Sequence, residues 1–242
     1  MKYILSLIFY IVSTLYTILL GIIALPTLFL PNKKAAVFVQ KLWADGLLLM
    51  LKVFCGIKTE VIGLENIPAE PVIFASKHQS AFETLFFVSL FNNPAYILKK
   101  ELLFLPVIGF YMKKIGMIAI DRSGGSKTLK DMLQKCRQKL EEKCSIIIFP
   151  EGTRSEPHIK AKKYHSGIAA IYKEFSDIPV VPIALNSGVL WGRRSFAKDA
   201  GTVTIKFLPP MENNLPRAEF MKKLYNTIET ESEKLYLQTK SK

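Results

Sequence analysis

Cysteine and histidine are scarce in this chain, and charge is missing from one long stretch of it. Its three cysteines, Cys55, Cys136 and Cys144, show no C-x-x-C spacing. That argues against a zinc ribbon or a redox dithiol and makes free thiols in a reducing compartment the expectation. The three histidines, His78, His158 and His165, form no H-E-x-x-H or related metal pattern, so no metal site is expected. There is no Walker A loop, no G-x-G-x-x-G and no G-x-S-x-G. These absences speak against a phosphate-cradling nucleotide site, a dinucleotide fold and a hydrolase with a nucleophile elbow. No internal repeat or low-complexity tract is present.

The charge-free stretch runs from Tyr3 to Asn32. Its apolar part, residues 4–30, exceeds the roughly 20 residues that cross a bilayer core. It is too long for the apolar region of a signal peptide, and no small-x-small cleavage site follows it. Pro26 should bend or end a helix here, so spanning the bilayer and dipping into one leaflet both remain open. Lys33 and Lys34 follow the stretch while Lys2 alone precedes it, a bias that puts the bulk of the chain on the cytoplasmic side. Residues 34–53 mix apolar side chains with Lys34, Gln40, Lys41, Asp45 and Lys52. This reads as an amphipathic helix that lies on the membrane or packs on the domain.

The chain has 242 residues, 33 of them Lys or Arg against 20 Asp or Glu, a net charge of +13. Beside an apolar N-terminus, that excess fits an anionic lipid surface or an anionic substrate. No nucleic-acid-binding motif accompanies it, so no nucleic acid partner is expected. Half of the residues are hydrophobic, enough for one sizeable domain with an appendage. We divide the chain into an N-terminal membrane-anchoring helical segment, 1–56, and a domain, 57–242.

From about residue 56 strand and helix signals alternate. Strands are expected at 72–76, 95–99, 117–120, 145–149, 180–186 and 202–208. Helices are expected at 80–91, 101–115 (interrupted by Pro106 and Gly109), 127–143, 164–175 and 217–238. This pattern predicts an α/β domain with a mixed, largely buried β-sheet flanked by helices. In such sheets the working residues lie in loops at strand ends. His78, Asp121-Arg122 and Glu151–Arg154 each follow a strand, and so they are candidates to meet at one edge.

Two runs carry the chemistry. In Lys77-His78-Gln79-Ser80-Ala81-Phe82-Glu83, an imidazole is followed five residues later by a carboxylate. Imidazole takes a proton near neutral pH, and a carboxylate can fix its tautomer and stabilise the imidazolium. Ser80 is also a possible helix N-cap, with Glu83 at capping-box spacing. Alone the pair says little, because a structural histidine beside a structural glutamate is the commoner case. The second run is Phe149-Pro150-Glu151-Gly152-Thr153-Arg154-Ser155. Proline stops a strand, glycine permits a tight turn, and Arg154 is a planar cation suited to phosphate. A solvent-facing turn with a salt bridge fits this run equally well when it is read in isolation.

Taken together, the motifs resemble those of the glycerolipid acyltransferase family, specifically bacterial 1-acylglycerol-3-phosphate acyltransferases. The resemblance covers roughly residues 64–208. It rests on His78 to Glu83, similar to the family's His-x4-Asp; on Lys99-Lys100-Glu101-Leu102 through Pro106 and Gly109 to Gly116 and Ile120-Asp121-Arg122; on the 149–155 run; and on Val180-Val181-Pro182-Ile183-Ala184-Leu185. It implies acyl transfer from a thioester, acyl-CoA or acyl-carrier protein, to the 2-hydroxyl of 1-acylglycerol 3-phosphate, with no bound cofactor. In that scheme His78 is the base and Glu83 its orienter. Arg154 and Lys100 bind the acceptor phosphate, Glu151 and Gly152 shape the loop, and Arg122 adds a third positive charge or pairs with Asp121. The 180–185 run is a core strand or lines an acyl groove. The implied partners are the lysophospholipid acceptor, the thioester donor and membrane lipids, at a bacterial inner membrane with the catalytic domain on its cytoplasmic side. Glu83 departs from the family's aspartate by one methylene. Two alternatives stay open: another lysolipid acceptor, such as a lyso-ornithine lipid, and a non-catalytic module that binds anionic membranes. A serine hydrolase using Ser80 is disfavoured, since residues so close in sequence rarely meet as nucleophile and base.

Overall fold

The computed structural model describes residues 1–69, 71–121 and 125–241. Helix α1, Lys2–Ile23, carries the charge-free sequence and is followed by a 3-10 turn at Leu25–Leu28 that contains Pro26. Proline has no N–H to continue the ladder, which is why the helix stops where the sequence predicts. Helix α2, Lys34–Cys55, runs back along α1 and ends at Gly56, whose φ of +68° gives the left-handed turn of a helix C-terminus. Tyr16 donates to the Leu42 carbonyl at 2.8 Å, and the Trp43 indole donates to Thr17 Oγ1 at 2.9 Å. Small residues let the helices approach. A Cβ at Gly46 would fall 2.5 Å from the Tyr16 hydroxyl oxygen.

Among the described residues seven strands form one sheet: β1 (Ile57–Ile62), β2 (Ile73–Ser76), β3 (Ala95–Lys99), β4 (Ile118–Ile120), β5 (Ile146–Ile148), β6 (Val180–Leu185) and β7 (Gly201–Phe207). Their order is β1-β7-β6-β2-β5-β3-β4. The five strands from β6 to β4 are mutually parallel, β7 is antiparallel to β6, and β1 is parallel to β7. The mixed α/β sheet is as expected, and the central strands β2, β5 and β6 are buried along their whole length. Continuous apolar runs such as Val180–Leu185 are what a strand covered on both faces requires.

The remaining helices are α3 (Phe82–Leu90), α4 (Ile108–Ile115), α5 (Gly125–Glu141), α6 (Gly167–Glu174), α7 (Ser187–Leu190) and α8 (Arg217–Lys240). The expected helix 101–115 is split at Pro106 into a 3-10 turn, Lys100–Phe104, and α4. Helix α3 starts two residues later than 80, with Ala81 at its N-cap. Half of the expected capping box still forms. The Ser80 N–H donates to Glu83 Oε1 at 2.8 Å, while Ser80 Oγ accepts from the Phe82 N–H at 3.2 Å. Strand β1 and the single-turn helix α7 are absent from the sequence reading.

Core side chains lie on both faces of the sheet. One face joins Phe74, Phe87, Val181 and Phe207 with Leu47 and Leu51 of α2 and Phe9 of α1. The other packs Ile73, Ile146 and Val180 against α5, α6 and α8 through Cys136, Ile168 and Leu224. Burial alone pushes the Cys136 thiol up to about 12, so it behaves as an inert core residue.

Candidate active site

Because β5, β2 and β6 are adjacent and parallel, the loops after them emerge side by side at the carboxyl edge of the sheet. His78 follows β2, Glu151 and Arg154 follow β5, and Ser187 follows β6. Lys100 follows β3, on the far side of β5. Arg122 lies outside the described residues.

His78 Nδ1 is 2.8 Å from Glu83 Oε1. The same oxygen accepts the backbone N–H groups of Gln79 and Ser80, each at 2.8 Å. Glu83 Oε2 accepts the Ser187 hydroxyl at 2.7 Å. Glu83 has no exposed surface. Burial opposes its charge, but the hydrogen bond and charge of His78 and the donors from Ser80 and Ser187 hold its carboxyl below the ordinary range. An ionised carboxylate only accepts, so Nδ1 of His78 carries the hydrogen, and in the neutral ring Nε2 is the nitrogen with the lone pair. The imidazole stacks on the Phe149 ring, with centroids 3.9 Å apart and planes 17° from parallel. Ring plane and tautomer are therefore both fixed.

Residues of the 149–155 run also hold the backbone of His78. Its N–H donates to Glu151 Oε1 at 2.7 Å, and its carbonyl accepts the Ser155 N–H at 2.8 Å and the Ser155 hydroxyl at 3.2 Å. Gly152, at φ +69°, turns the chain where a side chain would strain the backbone, and its N–H donates to the Phe149 carbonyl at 3.0 Å. Glu151, grouped in the sequence with the phosphate-binding residues as a loop-shaping member, turns inward. Its Oε2 lies 3.4 Å from the Lys77 ammonium, as an ion pair without a close hydrogen bond. Burial pushes the Glu151 carboxyl up, and the charge of Lys77 opposes the rise. Arg154 is half-buried, and its carbonyl accepts from the Arg193 guanidinium at 3.1 Å. Lys100 is exposed.

Sequence reasoning missed Lys77, Glu229 and Ser187. Lys77 is 1% exposed and donates to both oxygens of Glu229 on α8, at 2.8 and 2.9 Å. Tyr164 donates to Glu229 Oε1 at 2.9 Å. A buried lysine reads as improbable from sequence unless its partners are known. One of these carboxylates is 152 positions away. Ser187 sits in no motif; its only local signal is its place two residues past the apolar run 180–185. The 180–185 run itself is a core strand, one of the two roles expected of it.

The family model described as Acyltransferase matches residues 58–186. The chain is 37% identical to a protein of Pseudomonas aeruginosa named 1-acyl-sn-glycerol-3-phosphate acyltransferase, over 78% of this chain and 74% of that one. A chloroplastic protein of Arabidopsis thaliana with the same activity in its name is 30% identical over 72% of this chain, which spans only 48% of that longer relative. The crystal structure of the 1-acyl-sn-glycerophosphate acyltransferase of Thermotoga maritima superposes with a TM-score of 0.75 over 97% of this chain and 95% of that one, at 23% identity, a likeness of fold. With the matched span covering both motif loops and the strands that carry them, the chain belongs to the acyltransferase family.

Proposed function

We propose that this protein transfers a fatty acyl group from a thioester, acyl-CoA or acyl-carrier protein, to the 2-hydroxyl of 1-acylglycerol 3-phosphate, giving phosphatidate. The observation that carries the reading is the His78–Glu83 pair at 2.8 Å, with the imidazole locked as the Nδ1–H tautomer. Nε2 of His78 takes the acceptor's hydroxyl proton as that oxygen attacks the thioester carbonyl. The C–S bond then breaks, and the imidazolium returns its proton to the departing thiolate. Such a base contributes about 10²–10⁴-fold. Glu83 supplies orientation and stabilises the imidazolium. Arg154 and Lys100 bind the acceptor phosphate, and Arg122 adds to that charge. The names of the relatives support this acceptor.

Access to a lipid fits the N-terminal helices. Among the described residues α1 is the one helix long and apolar enough to cross a membrane, with a mean hydropathy of 2.1. One face packs on the protein through Ser6, Phe9, Ser13 and Gly21, while Ile4, Leu7, Ile11, Leu15, Ile18 and Ile22 are exposed. An apolar cleft between α1, α2 and α4 is lined by Leu20, Val39, Trp43, Val107 and Tyr111. On this reading the protein associates with a membrane through these helices, and the Lys33-Lys34 pair after the charge-free stretch favours the cytoplasmic side for its catalytic edge. The test is a panel of acceptors and donors with the purified protein in detergent. Phosphatidate formed from lysophosphatidate is the expected product. Selective acylation of a phosphate-free lysolipid would overturn the acceptor and the role of Arg154 together.

A further inference from the structure

We propose that Ser187 is a positioning residue for the acyl transfer, acting on His78 through Glu83. The inference rests on the reading of His78 as base and Glu83 as its orienter, and it explains how a glutamate fills a place that the family resemblance assigns to aspartate.

A glutamate has one more rotatable bond than an aspartate, so its carboxylate has more ways to miss a fixed imidazole. Three donors converge on Oε1: His78 Nδ1–H and the N–H groups of Gln79 and Ser80. All three come from the short loop between β2 and α3. They hold one oxygen as a pivot and leave the second to be placed from elsewhere. Ser187 supplies that hold at 2.7 Å, from a different strand and 104 positions away. Neither Ser187 nor Glu83 has exposed surface, so bulk water does not reach this oxygen to take the hydroxyl's place. Two fixed oxygens define the carboxylate plane, and the plane aims Oε1 at Nδ1.

The next residue grips the same loop. The Gly188 N–H donates to Gln79 Oε1 at 3.1 Å, and a Cβ at Gly188 would fall 2.8 Å from Gln79 Cβ. Gln79 is the immediate neighbour of the base. The turn at the start of α7 therefore holds both the base's neighbour and the base's orienter. Ser187 touches no reacting atom, so its effect should appear in the chemical step and not in substrate capture.

The experiment is steady-state kinetics of Ser187→Ala, Glu83→Gln, the double variant and His78→Ala, with lysophosphatidate and an acyl-CoA. Ser187→Ala is expected to lower kcat on the order of 10-fold, with both KM values within about twofold of the parent, since the substrate contacts are untouched. In the Glu83→Gln background the same change is expected to cost less than about twofold, because the carboxylate it orients is already gone. Ser187→Cys retains a donor at this place, a weaker one on a somewhat larger atom; it covers the case in which Ser187→Ala does not fold, and it should lower kcat in the same sense. Wild-type kcat in the folded variants would overturn the proposal, and so would an equal loss with and without the Glu83 carboxylate. Full turnover in His78→Ala would instead sink the underlying assignment of the base.

Discussion

The Lys77 ammonium and the Glu229 carboxylate meet at 2.8 and 2.9 Å in the protein interior. Through Lys77 the C-terminal helix α8 is tied to Glu151, and Glu151 in turn holds the backbone N–H of His78. The position of His78 thus depends on a buried ion cluster. Removing one partner of a buried pair leaves an uncompensated charge and costs about 3–5 kcal/mol. Lys77→Met, which strands two carboxylates, should lower unfolding stability by that amount in denaturant titration. A loss below about 1 kcal/mol would show that the cluster is solvated and holds nothing in place.

Arg154 is expected to act on the acceptor and not on the donor. A charge-assisted hydrogen bond contributes about 1.5–3 kcal/mol. Arg154→Ala should therefore reduce kcat/KM for lysophosphatidate by roughly 10- to 100-fold, chiefly through KM, and leave KM for the thioester unchanged. Arg154→Lys should recover only part of this, since an ammonium lacks the bidentate fork. Equal losses toward both substrates would place Arg154 in the scaffold of the loop.

Gly109 is constrained by backbone. A Cβ there would fall 2.3 Å from the Leu103 carbonyl oxygen, which belongs to the turn that begins at Lys100. Gly109→Ala must push that turn aside. It should cost about 1–3 kcal/mol of stability and raise KM for the phosphate-bearing acceptor by displacing Lys100. A variant with unchanged melting temperature and kinetics would separate the turn from the site.

Acid should weaken the fold through Glu83. Its carboxyl is held below the ordinary value in the folded state, so its ionised form contributes stability that is present above the unfolded value, about 4.3, and lost as pH falls through the depressed value. The stability advantage of the wild type over Glu83→Gln should thus be full at neutral pH and shrink below about pH 4. Glu151 has the opposite sign. Its carboxyl is raised, so ionising it as pH climbs through and above the ordinary range opposes folding. Glu151→Gln should accordingly lose less stability at neutral pH than its burial suggests. Thermal unfolding across pH 3 to 8 measures both differences. An advantage over Glu83→Gln that is flat across this range would contradict the account of Glu83.

Much of this site is written in local sequence, and the remainder is not. The apolar runs at 180–185 and 145–149 announce buried strands, and a histidine or a Glu-Gly turn just beyond a strand announces a site at the sheet edge. Periodicity carries no strand direction, so nothing local foretold that β7 reverses against β6 or that β1 follows it. Strand β1 lies at an edge and is mostly exposed, so it lacks the apolar run that marks the others. Helix α7 is a single turn, too short for any 3.6-residue pattern to repeat. Ser187 and Lys77 gain meaning only from partners that the sheet order brings close. Glu83 shows both levels. Its capping-box spacing was legible, and its carboxylate does reach back to the Ser80 N–H, but the same oxygen also serves His78.

The proposed chemistry turns on His78 as the base. The most direct measurement is the turnover of purified His78→Ala with lysophosphatidate and an acyl-CoA, alongside a melting curve to verify folding. A folded variant whose kcat is lower by about 10²-fold or more is the predicted result. A folded variant that turns over at the wild-type rate would contradict it.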